Sequence, residues 1–343
     1  MKKYHIITFG CQANIADSER IENKLKSFGY AKAEQEEADL IVMNGCSVRQ
    51  SAIDRLYSKV KQFSGQAGKK IILAGCVLEY DKKKLRDMVD DVWSPNEYFD
   101  FEPAYSSSFS AYVPIITGCN NFCSYCAVPY TRGRERSRSA DEIVAEVKRL
   151  VKSGRKEIWL LGQNVNSYRD SGKNSSDKAL AAADNIINFP KLIKMVNDIP
   201  GDFKIHFMSS HPKDFSDELI GTIAHCGKVP REIHLAVQSG DDEILEKMNR
   251  NYTVEHFKNL VVKIREAMPA AKISTDVIVG FPGETEKQFQ NTVKLFKEIK
   301  FEKAYIGKYS PRPGTLAAKM RDNVPPEEKK RRWEIINKIA NGK

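Results

Sequence analysis

Three short apolar runs near the amino terminus end in the same dipeptide. Residues 4–9 (YHIITF) lead into Gly10-Cys11, residues 40–43 (LIVM) into Asn44-Gly45-Cys46, and residues 71–74 (IILA) into Gly75-Cys76. Continuous short runs rich in Ile and Val are the pattern of parallel strands buried on both faces. A helical pattern follows each run, over residues 17–28, 47–63 and 82–89. Strand and helix therefore alternate, and the expected fold is a small parallel α/β domain. Sheets of this kind present their sites at the carboxyl ends of the strands. Cys11, Cys46 and Cys76 are thus expected to converge on one edge, each behind a glycine that lets the chain bend and a bulky group approach. One cysteine at a strand end is commonly a small buried hydrophobe. Three at equivalent strand ends predict a metal site.

A second group of cysteines lies in residues 112–139 (YVPIITGCNNFCSYCAVPYTRGRERSRS), where Cys119, Cys123 and Cys126 form C-x-x-x-C-x-x-C. Three thiolates this close can hold one soft metal centre. A structural zinc wants four protein ligands, and the next candidates, His225 and Cys226, are distant in sequence. A zinc knuckle or three buried thiols stand as the alternatives. Arg132, Arg134, Arg136 and Arg138 follow. Alternating with Gly, Glu and Ser, they read either as a solvated face or as a phosphate-binding strip, with Arg132 and Arg134 the favoured RNA-binding pair.

The remaining chain organises around these groups. Its 343 residues are enough for two domains, and 41% hydrophobic content supplies their cores. A net charge of +10 suits a polyanionic partner. No apolar run approaches the length of a bilayer span, and MKKYHIITFGC is no secretory signal. Seven cysteines, an odd number with clustered thiols among them and no such signal, predict a reducing cytoplasm rather than a disulfide framework. Residues 91–111, with Pro95, Pro103 and three consecutive serines, read as a connection. The expected domains are 1–105, 106–325 and a C-terminal helix over 326–343.

In the second domain, strands are predicted at 112–116, 157–161, 204–208, 232–237, 272–279 and 303–308, with helices between them. Ser139-Ala140-Asp141-Glu142 and Thr285-Glu286-Lys287-Gln288 open two of these helices as capping boxes. Six units fall short of a closed eight-fold barrel, so a partial (β/α)6 barrel with an open side is expected. The polar stretch 170–184 reads as an insertion on a barrel loop. The loops after the strands are rich in amides, hydroxyls and glycine, which suits a nucleoside-like ligand, with ordinary turn chemistry as the alternative. Gln163, Ser209 and Gln238 are candidates there, and His211 a weaker one. His206 and His234 lie inside strands and read as barrel residues. The run 329–332 reads as surface charge on a helix.

The cysteine motif, with Tyr125 before its last cysteine, resembles the signature of radical S-adenosylmethionine (SAM) enzymes. The longer string GCNNFCSYCAVPYTRGRERSR resembles the methylthiotransferases of the MiaB type, as do TFGCQANIADSE, NGCSVRQSA, LLGQNVNSY, VQSG, STDVIVGFPGET and YSPRPGT. The resemblance implies a [4Fe-4S] cluster on Cys119, Cys123 and Cys126 whose open iron takes SAM, with Tyr125 near the adenine and Gln163, Ser209 and Gln238 in the SAM pocket. It implies an auxiliary [4Fe-4S] cluster on Cys11, Cys46 and Cys76, and the partial barrel. The chain departs from the family at Gly45 (usually Thr), Val77, Leu78 and Glu79 (usually Met or Leu, Ala and Gln), Ser209 (usually Thr) and Ala236 (usually Pro). None removes a ligand. Asn164 stands where relatives that modify a ribosomal protein carry an acidic residue, which favours tRNA.

The implied reaction cleaves SAM to a 5′-deoxyadenosyl radical, takes sulfur from the auxiliary cluster and a methyl from a second SAM. The C2 hydrogen of N6-isopentenyladenosine beside the anticodon is replaced by methylthio. Implied partners are tRNA with isopentenylated adenosine and a reductant protein such as flavodoxin or ferredoxin, with no membrane and a monomeric chain. The alternatives are a methylthiotransferase for threonylcarbamoyl-adenosine or a protein side chain, and a non-catalytic metal-bearing RNA-binding protein. The family's small RNA-binding module, TRAM, is expected after the C-terminal helix and is absent from these 343 residues.

Overall fold

The computed structural model describes residues 1–172 and 186–342. The amino-terminal unit runs β1 (Lys3–Thr8), α1 (Gln12–Ser27), β2 (Ala31–Lys32), β3 (Leu40–Cys46), α2 (Gln50–Phe63), β4 (Lys70–Cys76), α3 (Glu79–Leu85) and β5 (Asp91–Val92). Its sheet has the order β2-β1-β3-β4-β5, parallel throughout. The central strand β3 is buried at every residue. Leu40 and Val42 pack with Ile21 and Leu25 of α1 on one face. Ile41 and Met43 pack with Ile53, Leu56 and Val60 of α2 on the other. Two covered faces explain why the run is continuous rather than alternating.

Several boundaries differ from the sequence pattern, and those beside the cysteines do so for a physical reason. Helix α1 begins at Gln12 rather than at residue 17, because Cys11 and Asn14 form a reciprocal cap at its amino end. Strands β3 and β4 continue through their Gly-Cys ends, pairing Gly45 with Gly75 and Cys46 with Cys76.

The second unit runs β6 (Ser110–Pro114), β7 (Ile116–Thr117), α4 (Val128–Arg132), β8 (Arg136–Ser137), α5 (Ala140–Lys152), β9 (Glu157–Leu161), β10 (Arg169–Asp170), β11 (Ile187–Asn188), α6 (Phe189–Asn197) and β12 (Lys204–Phe207). It continues through α7 (Asp217–His225), β13 (Glu232–His234), α8 (Asp242–Lys247), α9 (Val254–Ala267), β14 (Lys272–Val279), α10 (Glu286–Ile299), β15 (Lys303–Lys308) and α11 (Pro326–Asn341). Parallel sheets β6-β9-β12 and β13-β14-β15 meet at a parallel bridge between Ser210 and Leu235. They form a six-stranded partial barrel in chain order. Alternation sorts its two faces. Along β14, Ile273, Thr275, Val277 and Val279 are buried toward the helices, while Ser274 and Asp276 face inward with His234. Trp159 of β9 stacks on His206 of β12 with ring centroids 4.3 Å apart. The lumen is therefore polar and aromatic, unlike the filled apolar interior of a closed eight-strand barrel.

The capping box expected at Thr285 forms with Gln288. The one expected at Ser139 does not. Its side chain makes no cap bond, and the Ala140 N–H donates instead to the Asp170 carboxylate at 2.7 Å. Most of the stretch 170–184 lies outside the described residues. The run 329–332 is not surface charge throughout. Lys329 and Arg332 are buried, Lys329 against Asp322 at 2.6 Å and Arg332 against Glu284 at 2.7 Å. Helix α11 packs across β15, so half of its charged run faces the barrel. Among the described residues no helix is long and apolar enough to cross a membrane.

The two units are joined by more than the chain. Helix α1 packs on β6 and α4 on β4. The connecting segment is held on α1 by Arg20, which donates to the Phe99 carbonyl, and by Glu19, which accepts from the N–H and hydroxyl of Ser106.

Candidate metal centre

The loop that carries Cys119, Cys123 and Cys126 follows β6 at the carboxyl end of the first barrel strand. The antiparallel pairing of β7 with β8 pinches its base. Gly118 sits at φ 77°, and a methyl group there would fall 2.0 Å from the Arg134 carbonyl oxygen. Only glycine fits that crossing. The loop is then sewn to a distant segment. The Ser124 N–H donates to the Met248 carbonyl at 2.9 Å, and its hydroxyl to that of Lys247 at 2.7 Å. The Asn249 amide donates to the carbonyls of Asn121 and Phe122.

Burial pushes the Cys119 thiol up to about 11 and the Cys126 thiol up to about 12, and the neighbouring Cys123 adds to both. Such thiols ionise only against a cation, which is what a bound metal supplies. Arg250 is buried beside them. It donates to the Cys123 sulfur at 3.6 Å, to the Ala236 carbonyl at 2.5 Å and to the Tyr252 hydroxyl at 3.1 Å.

The second triad forms at the carboxyl edge of the amino-terminal sheet. Asn14, fully buried, is its hub. Its amide donates to Asn44 Oδ1 at 3.0 Å, to the Gly45 carbonyl at 3.1 Å and toward the Cys76 sulfur at 3.9 Å. Its Oδ1 accepts from the Cys11 N–H at 3.3 Å and lies 3.7 Å from the Cys11 sulfur. One side chain thus touches the strand ends of all three cysteines. The glycines before them serve packing more than ligand approach. A methyl group on Gly10 would strike Asn14, and one on Gly45 would strike Leu56. Gly75 alone of the three needs a left-handed backbone, at φ 93°. Burial raises the Cys76 thiol to about 12, against the lowering effect of Arg132.

Arg132 overturns the expectation of an RNA contact. It is 7% exposed, its Nε donates to the Cys76 sulfur at 2.8 Å, and its guanidinium pairs with Asp17 at 2.5 Å. Burial opposes its charge, and Asp17 with Cys76 more than offsets that cost. A side chain so buried is out of reach of a phosphate. Arg134 is exposed and lies over the Phe122 ring, 4.3 Å from its centroid.

The remaining candidates divide. Tyr125 packs into a small apolar cluster with Ile244, Met248, Phe281, Tyr309 and Ala317. Ser209 and Gln238 both have left-handed backbones, at φ 67° and 68°, at the ends of adjacent strands. Strain of this kind at non-glycine residues gathers at functional sites. The buried Oε1 atoms of Gln163 and Gln238 and the Ser210 hydroxyl have no protein partner. They are acceptors and donors left for a polar ligand, so the mouth suits a SAM-like group. Gln163 sits apart, in the seam with Asp17 and Arg132. His211 is buried, and burial lowers its pKa to about 2, with help from Arg250. His206 and His234 face a cavity of about 440 Å³ inside the barrel, which Gln12, next to Cys11, also lines. That cavity lies toward the amino ends of the strands, away from the cysteine loop.

Among the described residues, no three His, Cys, Asp or Glu side chains converge as a single-ion site. One zinc needs its donors within about 2.0–2.3 Å of one point, whereas a cluster gives each cysteine its own iron. Each triad supplies three thiols, the donor type that iron–sulfur clusters take from a protein.

Comparison with known proteins gives the family and the fold. Residues 113–296 match the Radical SAM superfamily and residues 3–94 the uncharacterized protein family UPF0004. The tRNA-2-methylthio-N(6)-dimethylallyladenosine synthase of Clostridium novyi is 42% identical over 380 aligned positions, covering 98% of this chain and 82% of the relative. This chain belongs to the tRNA-2-methylthio-N(6)-dimethylallyladenosine synthase family. The synthase of Caldicellulosiruptor saccharolyticus is likewise 42% identical, covering 99% of this chain and 78% of its own length. Among solved structures, the radical SAM methyltransferase TsrM of Kitasatospora setae superposes with a TM-score of 0.64 at 13% identity, over 93% of this chain and 75% of that one. The fold is thus that of radical SAM proteins, preceded by a parallel α/β domain. As a radical SAM protein, this synthase-family chain takes SAM and a [4Fe-4S] cluster.

Proposed function

We propose that this chain is a tRNA methylthiotransferase that places a methylthio group on C2 of N6-isopentenyladenosine. The observation that carries the reading is Arg132, which reaches from the helix after the cysteine loop across the domain seam to Cys76 of the amino-terminal sheet. In this reading Cys119, Cys123 and Cys126 hold the SAM-binding cluster and Cys11, Cys46 and Cys76 an auxiliary [4Fe-4S] cluster. Bound there, these groups supply a carbon-centred radical and a transferable sulfur.

The chain's own residues hold and shield. Ser124 and Asn249 fix the cysteine loop against the segment before α9. Arg250 orients Cys123 and balances its charge. Gln238 and Ser210 offer unpartnered polar atoms at the barrel mouth. The half-exposed Tyr130 and the Arg134–Phe122 stack sit at the rim beside the loop, where a splayed base and its phosphates are accommodated. Asn164, whose identity favoured tRNA, is buried and donates to Asp214 at 2.7 Å, so it marks the family rather than touching RNA. The proposed partners are tRNA with isopentenylated adenosine and a small reductant protein, acting on a monomer in the cytoplasm.

The test is anaerobic turnover with isopentenylated tRNA and SAM, read by nucleoside mass spectrometry. Methylthio product on that adenosine, from protein with about eight irons per chain, is the expected outcome. SAM cleavage without any tRNA product refutes the substrate, and zinc in place of iron refutes the enzyme.

A further inference from the structure

Arg132 is placed where it touches both halves of the molecule. Helix α4 starts two residues after Cys126 and ends on Arg132. The side chain crosses the seam, and its Nε donates to the Cys76 sulfur at 2.8 Å. Its far end meets Asp17 of α1 at 2.5 Å and 3.4 Å, a bond between residues 115 positions apart. The side chains of Arg132 and Asp17 are 4% and 3% exposed. A pair buried this deeply is weak evidence for stability, because its desolvation cost rivals its attraction. Buried this deeply, it serves neither solvent nor a polyanion.

We propose that Arg132 is a positioning residue that tunes the auxiliary centre, setting its reduction potential through the Cys76 sulfur. The inference rests on the reading of Cys11, Cys46 and Cys76 as a cluster site. Hydrogen bonds to cluster sulfurs and nearby charge are the levers that set such potentials. A guanidinium N–H on the ligating sulfur stabilises the reduced, more negative state. Asp17 holds the guanidinium in place and cancels part of its charge. The two residues therefore push the potential in opposite directions.

That opposition supplies a test that a merely structural role does not pass. The full chain is prepared with Cys119, Cys123 and Cys126 replaced by alanine, reconstituted anaerobically with ferrous iron and sulfide, and titrated with dithionite under electron paramagnetic resonance. In R132Q the potential falls by at least a tenfold change in the reduction equilibrium, which is 59 mV for one electron. In D17N it rises. R132K, which keeps the charge and loses the Nε donor, falls less than R132Q and carries the test if R132Q does not fold. Unmoved potentials, or shifts of the same sign in Arg132 and Asp17 variants, overturn the proposal while leaving the cluster reading intact. Absence of iron from the parent triple variant overturns both.

Discussion

Replacing Gly75 with alanine should loosen the auxiliary site more than any other single methyl group added to the chain. Gly75 has φ 93°, a conformation that costs an L-residue about 1–2 kcal/mol. The new methyl group would also lie 2.3 Å from Asn44 Oδ1 and 2.4 Å from the Gly45 carbonyl oxygen. Those two atoms are the acceptors of the Asn14 amide, at 3.0 and 3.1 Å. Pushing them away leaves a fully buried amide without its oxygen partners, a further cost of about 1–3 kcal/mol. The expected loss is about 2–5 kcal/mol in total. Gly65 provides the control. It has φ 83°, and a methyl group added there meets nothing within 4 Å, so Gly65→Ala carries the backbone cost alone. Urea unfolding of the full apoprotein, followed by circular dichroism, measures the difference between the two variants. Iron retention in a background lacking Cys119, Cys123 and Cys126 measures the site itself. If Gly75→Ala and Gly65→Ala lose the same stability, and both keep their iron, Asn14 is not the hub described above.

Other perturbations separate the two triads and the groups around them. Cys76→Ala should leave SAM cleavage measurable, read as 5′-deoxyadenosine, and abolish the methylthio product; persistence of that product would remove Cys76 from the site. Arg250→Lys cannot reproduce the three-way contact with Cys123, Ala236 and Tyr252. It should slow 5′-deoxyadenosine formation at least about tenfold, the equivalent of one charge-assisted hydrogen bond of about 1.5 kcal/mol; an unchanged rate would make Arg250 a bystander. His211 gives a pH dependence. Its pKa is about 2 in the folded chain against 6.5 ordinarily, so the unfolded chain gains a proton that the folded chain does not. Its contribution is intact above pH 6.5 and is lost as the pH falls below it, by up to about 1.4 kcal/mol per unit. His211→Asn should flatten that slope between pH 6.5 and 5, as measured by denaturant unfolding; an equal slope in both proteins would show that other groups dominate.

How much of the site was legible in the chain depended on the residue type. The cysteines are legible because their positions follow from local pattern. Cys46 and Cys76 end continuous apolar strands, and parallel pairing brings them side by side. The cysteine loop carries its own spacing. Barrel strands were legible for the same reason, and β9, β14 and β15 begin and end where the apolar pattern does. The supporting residues were not. Asn14 precedes the helical pattern and Asp17 is its first residue, and nothing local marks either as interior, yet both are buried in the first turns of α1. Arg132 reads as one of four surface arginines, and Arg250 as part of an unremarked polar segment.

The sequence by itself determined the alternation of strand and helix, the strand ends that carry three thiols and the loop that carries three more. Periodicity and turn chemistry are properties of neighbours in the chain, so they survive without any tertiary context. Only the tertiary structure decided which polar residues go inside. Burial of a charge is tolerable only where a partner meets it, and the partners come from elsewhere in the chain. Asp17 lies 115 positions from Arg132, and Cys123 lies 127 from Arg250. No local pattern records such a meeting, and it turns an apparent RNA-binding arginine into a bond between the two domains at Cys76.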